Sequence, residues 1–387
     1  MIEVRDKKDC CGCAACKQIC PKKCIEMKYD EEGFEYPVVN ILSCIDCGLC
    51  ESVCPIKSFD KKSESVESYV AYSKDLKTRV KSSSGAIFSL CAEYVLKNNG
   101  IVFGAIFDSE FMVHHVYIDS IENLKYLQGS KYLQSRIENT YQETERFLKE
   151  GKEVLYSGTA CQIAGLKKYL KKEYSNLYTI DVLCHGVPSP KVWKKYLDEE
   201  VKKSNNNISK VFFRNKTTGW KQYSVYFEYT DGTQIMESNI KNDYMRLFLK
   251  DICLRPSCYD CKFKSLDRPS DITLGDSWGI ENIMPEMDDD KGTSVILIHS
   301  KNGKKMFEKI NKNMIFKSGD VDSILPPNAD SRKSVAVHPK RDLFFEKLNK
   351  GESIKELVKL IEYSPKQKIN NFFRRIYFKI RSIFNKL

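Results

Sequence analysis

The chain has 387 residues, 42% of them hydrophobic and 30% charged, with a formal net charge of +11 and 16 cysteines. That length allows two or three domains with a sizeable core, and no apolar run reaches the roughly 18 residues that a membrane-spanning helix needs. The start, "MIEVRDKKD", is charged and lacks an apolar segment, so a secreted disulfide framework is not expected and the thiols should stay reduced in the cytoplasm.

The first element is "CCGCAACKQICP", Cys10 to Pro21, and almost the same run returns as "CIDCGLCESVCP", Cys44 to Pro55. Structural zinc uses C-x-x-C pairs separated by a spacer, whereas here each run packs four cysteines into one block. Cys10, Cys13, Cys16 and Cys20 read C-x2-C-x2-C-x3-C-P, as do Cys44, Cys47, Cys50 and Cys54. This is the spacing of bacterial ferredoxins with two [4Fe–4S] clusters. Three thiolates two residues apart wrap three corners of one cubane, and the fourth, turned away at the proline, reaches the other. One cluster is therefore expected on Cys10, Cys13, Cys16 and Cys54, the other on Cys44, Cys47, Cys50 and Cys20. Gly12, Ala14, Ala15 and Gly48 are small enough for backbone N–H groups to approach the sulfurs. Cys11 and Cys24 fall outside the pattern and read as small buried hydrophobes.

Residues 1–60 are thus expected to form a two-cluster ferredoxin domain, and 61–72, beginning in polar "FDKKSESVES", a linker. "SSSGAIFSLCAEYVLKNNG" has helical apolar spacing at Ile87, Leu90, Cys91, Tyr94 and Val95, with Ser82 to Ser84 as cap candidates. "IVFGAIF" and "HHVYI" read as strands. Helix "TYQETERFLKEG", strand "EVLYSG", helix "CQIAGLKKYLKKE", strand "LYTIDVLC" and helix "SPKVWKKYLDEEVKK" follow. This alternation argues for a mostly parallel sheet. "KVFFRN", "YSVYFEYTDGTQIMES" and "DITLGDSW" look antiparallel, with Asp231-Gly232 as a hairpin turn and helix "DYMRLFLKDI" among them. Strand "TSVILIHS" and helix "GKKMFEKI" close the pattern.

Residues 336–387 read as a helical basic tail. In "KINNFFRRIYFKIRSIFNKL", Ile369, Phe372, Phe373, Ile376, Ile380, Ile383, Phe384 and Leu387 share one helical face opposite basic residues, which suits an anionic membrane surface at the inner face. Lys366, Lys368, Arg374, Arg375, Lys379, Arg381 and Lys386 carry much of the net charge. The rest is close to balanced, and no nucleic-acid partner is expected.

Cys161 opens a helix after a strand and Cys184 ends a strand, the places where parallel sheets put ligand groups. With the C-x-x-C pair Cys258 and Cys261 they make a four-thiol set for a third [4Fe–4S] cluster. Cys253, Cys258 and Cys261 also read C-x4-C-x2-C, the plant-type [2Fe–2S] spacing, and a zinc knuckle or plain buried thiols are further readings.

"SSGAIF", "GSKYLQS", "YSGTACQIAGLKKYL", "CHGVPSP", "FRNKTTGW", "RPSCYDCKFK" and "SDITLGDSWGI", in this order, resemble the beta subunit family of coenzyme F420 hydrogenase/dehydrogenase, in the branch with an amino-terminal ferredoxin unit. The resemblance runs to about residue 335. It implies one FAD and one [4Fe–4S] cluster in a mixed α/β flavin-binding domain over residues 73–335. By position it selects Cys161, Cys184, Cys258 and Cys261 as ligands and leaves Cys253 unassigned. Ala160 stands where many relatives have proline, a change that should alter backbone stiffness and not ligation. The family's Gly-rich helix start falls on Ser83, Ser84 and Gly85, and its glycine-threonine-lysine-tyrosine loop on Gly129, Ser130, Lys131 and Tyr132, with serine in place of threonine. A helix N-terminus of small residues suits a pyrophosphate, although no G-x-G-x-x-G is present. No residue stands out as catalytic. His185 and Lys131 are the candidates, and Arg214, Lys216, Trp220 and Asp276 lie in the remaining motifs.

The function implied is that of an iron–sulfur flavoprotein oxidoreductase. Single electrons from a redox partner protein or small carrier would pass through the clusters to FAD, and FAD would exchange two with a small organic substrate. That substrate is a deazaflavin, a nicotinamide or a polysaccharide precursor. The competing expectation is a non-catalytic electron-transfer subunit of a larger complex.

Overall fold

The computed structural model describes residues 1–58, 66–326, 329 and 332–362. The amphipathic segment Ile369 to Leu387 lies outside the described residues.

The amino-terminal unit contains α1 (Ala15–Ile19), β1 (Ile25–Tyr29), β2 (Glu35–Val39) and α2 (Leu49–Ser52). β1 and β2 pair as an antiparallel hairpin. Asp30 closes its turn by accepting from the backbone N–H groups of Glu32 and Phe34. Both short helices begin after left-handed turns, at Gly12 and Ala14 before α1 and at Asp46 and Gly48 before α2.

The body follows with β3 (Glu67–Ser73), α3 (Leu76–Lys81), α4 (Ile87–Lys97), β4 (Ile101–Phe107), β5 (Val113–Ile118), α5 (Leu124–Leu127), α6 (Thr140–Lys149), β6 (Val154–Thr159), α7 (Ala160–Leu170), β7 (Leu177–Val182) and α8 (Pro190–Ser204). Next come β8 (Ile208–Asn215), β9 (Ser224–Tyr229), β10 (Gln234–Ser238), α9 (Asp243–Leu249), β11 (Ile272–Asp276), α10 (Ile280–Ile283), β12 (Ser294–Ile298), α11 (Lys301–Ile310), β13 (Met314–Ser318), α12 (Val321–Ile324), α13 (Arg341–Asn349) and α14 (Ile354–Val358). Local chemistry sets the helix ends. Thr159 and Gln162 form a capping box at the start of α7. Ser189 caps α8, Pro190 begins it, and Asn205 ends it in the left-handed region.

Among the described residues an eight-stranded sheet runs in the order β13-β3-β12-β11-β7-β6-β4-β5, and β10-β9-β8 form a separate antiparallel sheet. Parallel pairing is confined to β4, β6, β7 and β11; the flanking strands pair antiparallel. The fold is therefore mixed α/β, and the expectation of a mostly parallel sheet is corrected. β11, expected to pair antiparallel with the hairpin strands, instead joins the large sheet parallel to β7. The apolar run of β12 is buried at every position, as befits a central strand covered on both faces.

Two boundaries also move. β3 lies within the span expected to be linker, yet it sits between β13 and β12 in the large sheet. In the tail span, α13 and α14 place Phe344, Phe345, Leu348, Ile354, Leu357 and Val358 in the core with Trp193, Phe213 and Tyr244. At α4 the helix starts after Ala86, itself left-handed, while Ser82 ends α3. The expected serine cap is absent.

The amino-terminal unit is seated on the body. Phe34 is fully buried among the aromatic residues of α8, β8, α9 and α13. Cys11, Cys13, Ala14, Ala15 and Val53 share a core with Phe103, Tyr156, Ile163 and Leu166. Gln18 accepts from the Tyr141 N–H at 3.0 Å, and Arg341 grips the Glu32 carboxylate at 2.6 and 2.9 Å. Among the described residues no helix is long and apolar enough to cross a membrane.

Candidate iron–sulfur and cofactor sites

The two cysteine runs interlock. One cavity is lined by Cys10, Cys13, Cys16 and Cys54, together with Cys11 and Gly12. A second is lined by Cys20, Cys44, Cys47 and Cys50, together with Cys24. The division is the one that the doubled spacing requires, with Cys20 and Cys54 crossing over. Backbone donors approach the sulfurs: Ile2 N–H, from the amino end of the chain, lies 3.2 Å from Cys50 Sγ, and Asp46 N–H, at a left-handed residue, lies 3.4 Å from Cys44 Sγ. Among the described residues no three His, Cys, Asp or Glu side chains converge closely enough to hold a single metal ion. Four thiols lining each cavity are the donor set of a cubane cluster.

A third cavity is lined by Cys161, Cys184, Cys258 and Cys261. Cys161 is the second residue of α7, Cys184 follows β7, and the pair lies in the loop before β11. Val187 N–H approaches Cys258 Sγ at 3.4 Å, and Thr159 Oγ1 lies 3.1 Å from Cys161 Sγ. Burial pushes the Cys184 thiol up to about 12 and raises Cys258 as well. An incoming cation would favour loss of their protons. Cys253 has no accessible surface and packs among the aromatic core residues, outside all three cavities, which sets the plant-type arrangement aside. Cys11 lines both the first and the third cavity, so the two cavities share a wall.

The remaining candidates also converge. Ser83 Oγ accepts from Ser130 N–H at 2.7 Å and contacts Ser130 Oγ at 2.8 Å. Arg214 donates to Asp276 at 2.8 Å, to Tyr132 Oη at 3.1 Å and to the Ser83 carbonyl at 3.2 Å. Trp220 Nε1 donates to Asp276, and its ring stacks on half-exposed Trp278 at 4.7 Å. Lys216 Nζ reaches the carbonyls of Arg79, Ser84 and Lys291. Lys131 Nζ reaches those of Leu127, Gln128 and Gly129. Burial pulls both lysines down to about 7, and the surrounding carbonyl acceptors oppose that pull by favouring the ammonium form. A cluster of Arg79, Arg214 and Lys216, balanced by Asp276 and Asp289, fits the anionic part of a phosphate-bearing ligand. Gly129 is left-handed and has open space where a side chain would project. Gly85 is not open: a Cβ there would meet the Ala71 carbonyl at 2.4 Å, and its N–H is taken by Ser294. His185 turns to Asp251, 2.6 Å away, and meets Phe248 edge-on.

Residues that sequence reasoning passed over include Arg255 and Gln18. Neither stands in a spacing pattern, and both matter only because chain segments far apart in sequence meet at them.

Paired four-cysteine cavities on a small hairpin unit, fused to a mixed α/β body, define an iron–sulfur electron-transfer protein. Residues 9–58 match the 4Fe–4S dicluster domain. Residues 151–323 match the C terminus of the Coenzyme F420 hydrogenase/dehydrogenase beta subunit. Among solved structures, a chain of the F420-reducing [NiFe] hydrogenase complex from Methanosarcina barkeri shares 19% identity. The match covers 77% of this chain and 90% of that one, with a TM-score of 0.44, a likeness too loose to build on. No curated protein matches.

Proposed function

We propose that the chain is an iron–sulfur flavoprotein oxidoreductase. Residues 1–58 would form the dicluster unit. Cys161, Cys184, Cys258 and Cys261 would hold a third [4Fe–4S] cluster. The surface around Ser83, Gly129, Ser130, Lys131, Tyr132 and Arg214 would hold FAD. Clusters carry single electrons, and a flavin can accept them singly and exchange two with an organic partner. The single observation that carries the reading is the shared wall at Cys11, which puts the third thiol set next to the first ferredoxin set.

The chain's own residues have definable tasks. The backbone N–H groups of Ile2, Asp46 and Val187 would stabilise thiolate ligands at Cys50, Cys44 and Cys258. Lys216 and Arg214 would supply positive charge to a bound phosphate or reduced ring, and Asp276 fixes the guanidinium. Lys131, whose proton affinity burial lowers to about 7, would be able to hold or release a proton at this surface. The substrate would be an organic two-electron donor or acceptor.

Anaerobic purification followed by iron counting and an absorbance scan tests this. The reading expects about twelve irons per chain, three clusters of four, and bound flavin. One observation favours a second reading. Ser130, Lys131, Lys216 and Arg214 all have partners within the chain, as a ligand-free electron-transfer subunit would have. Iron without flavin would decide for that reading.

A further inference from the structure

The loop between α9 and β11 carries a buried cation, Arg255, with no accessible surface. Its guanidinium donates from Nε to the Cys10 carbonyl at 2.8 Å, from Nη1 to Gln134 Oε1 at 2.9 Å and from Nη2 to the Glu35 carbonyl at 2.9 Å. The remaining Nη2 contact is Cys10 Sγ at 3.6 Å. The group lies over the Tyr36 ring at 4.3 Å, and a Cβ on Gly12 would meet Nη1 at 2.9 Å. Every one of these acceptors is an uncharged group, and of them only the Cys10 sulfur would become negative on ligating iron. The Glu35 carboxyl feels this charge, but more weakly than that of Arg136. A buried cation without an ion-pair partner is costly, commonly by several kcal/mol. A thiolate-ligated cluster at Cys10 would supply the missing negative charge. Among the described residues the basic side chain lining the second ferredoxin cavity is the exposed Lys22, and the backbone N–H groups of Ile2 and Asp46 approach its sulfurs.

We propose that Arg255 raises the reduction potential of the iron–sulfur centre on Cys10, Cys13, Cys16 and Cys54, the ferredoxin centre that shares a wall with the third thiol set. The inference rests on the cluster reading above. Reduction adds one electron and no proton, so the reduced centre is the more negative. A guanidinium hydrogen-bonded to a ligand sulfur in a low-dielectric interior stabilises that form. Electrons are thereby held at the junction with the body.

The test compares the full chain, loaded with iron under anaerobic conditions, with Arg255→Gln and Arg255→Lys, using redox titrations followed by electron paramagnetic resonance. In Arg255→Gln, one ferredoxin centre should become at least tenfold harder to reduce at a fixed potential. For one electron that is about 59 mV. The other ferredoxin centre should not move, and Arg255→Lys should keep most of the wild-type value. Wild-type protein containing guanidino-15N arginine adds a measurement that needs no variant: the centre whose potential moves should show 15N hyperfine coupling. Should Arg255→Gln fail to fold, that coupling decides alone. Its absence, or an iron-loaded Arg255→Gln chain with both potentials unmoved, overturns the proposal. A wild-type chain that takes up no iron at the amino-terminal cysteines removes the cluster reading itself, and the iron count tells the two failures apart.

Discussion

His115 shows how one buried side chain couples this fold to pH. Its Nδ1 lies 2.7 Å from Ser135 Oγ and its Nε2 3.0 Å from the Ser157 carbonyl, so Nε2 carries the hydrogen of a neutral ring. Burial pulls its pKa from 6.5 to about 4. Between those values the unfolded chain binds a proton that the folded chain refuses, so stability falls as pH drops from 6.5 towards 4. At about 1.4 kcal/mol per unit, the loss is on the order of 3 kcal/mol. Denaturant melts at pH 7 and pH 5 should show the wild type losing stability that His115→Gln does not lose; parallel losses in both would count against the assignment. Cys253 makes a contrasting case. Its burial among aromatic residues predicts that Cys253→Ser leaves the iron content unchanged, which a colorimetric iron assay checks.

At the scale of elements, the β1–β2 hairpin is the anchor of the amino-terminal unit. Phe34 at its turn is fully buried, whereas Leu42, a few residues on, is 99% exposed. Phe34→Ala should cost about 3–5 kcal/mol, and Leu42→Ala should stay within about 0.5 kcal/mol. Equal effects in denaturant melts would show that the hairpin is not seated as described. Gly165 does similar work on α7. A Cβ there would meet Cys13 Sγ at 2.9 Å and Tyr141 Oη at 3.0 Å. Gly165→Ala should therefore lower the melting temperature and loosen the first cysteine cavity, visible as iron lost on desalting. Much of this level was legible in the residues. Periodicity marked α4, α6, α7 and α8 and the strands β4 to β7, and the doubled spacing divided the ferredoxin cysteines as the cavities do. What stayed hidden depends on distant partners. β11 pairs with β7, about ninety residues away, and no local pattern encodes that direction. β3 follows a charged run and read as linker, because its alternation gains meaning only between β12 and β13.

At the scale of the whole molecule, the thiol sets form a row because the ferredoxin unit is fused to the body and not tethered to it. Phe34, Gln18 and the Glu32–Arg341 ion pair bind it at separate points. A protease site inserted after Ser58 should consequently yield two fragments that elute together in gel filtration after cleavage. Fragments that separate would mean that the interface is weaker than its buried aromatic and ionic contacts imply. The candidate flavin surface was legible only in part. Ser83, Ser130, Tyr132, Arg214 and Asp276 contact one another, but the Lys131 amine turns to the carbonyls of its own loop, and the helix cap expected at Ser82 to Ser84 gave way to a left-handed turn at Ala86.

The central claim is that Cys161, Cys184, Cys258 and Cys261 hold a third cluster against the ferredoxin pair. Iron counting on anaerobically loaded wild-type and Cys258→Ser chains tests it most directly. The account predicts about twelve irons in the wild type and a loss of about four in the variant, with the ferredoxin signals intact. About eight irons in both chains would contradict it.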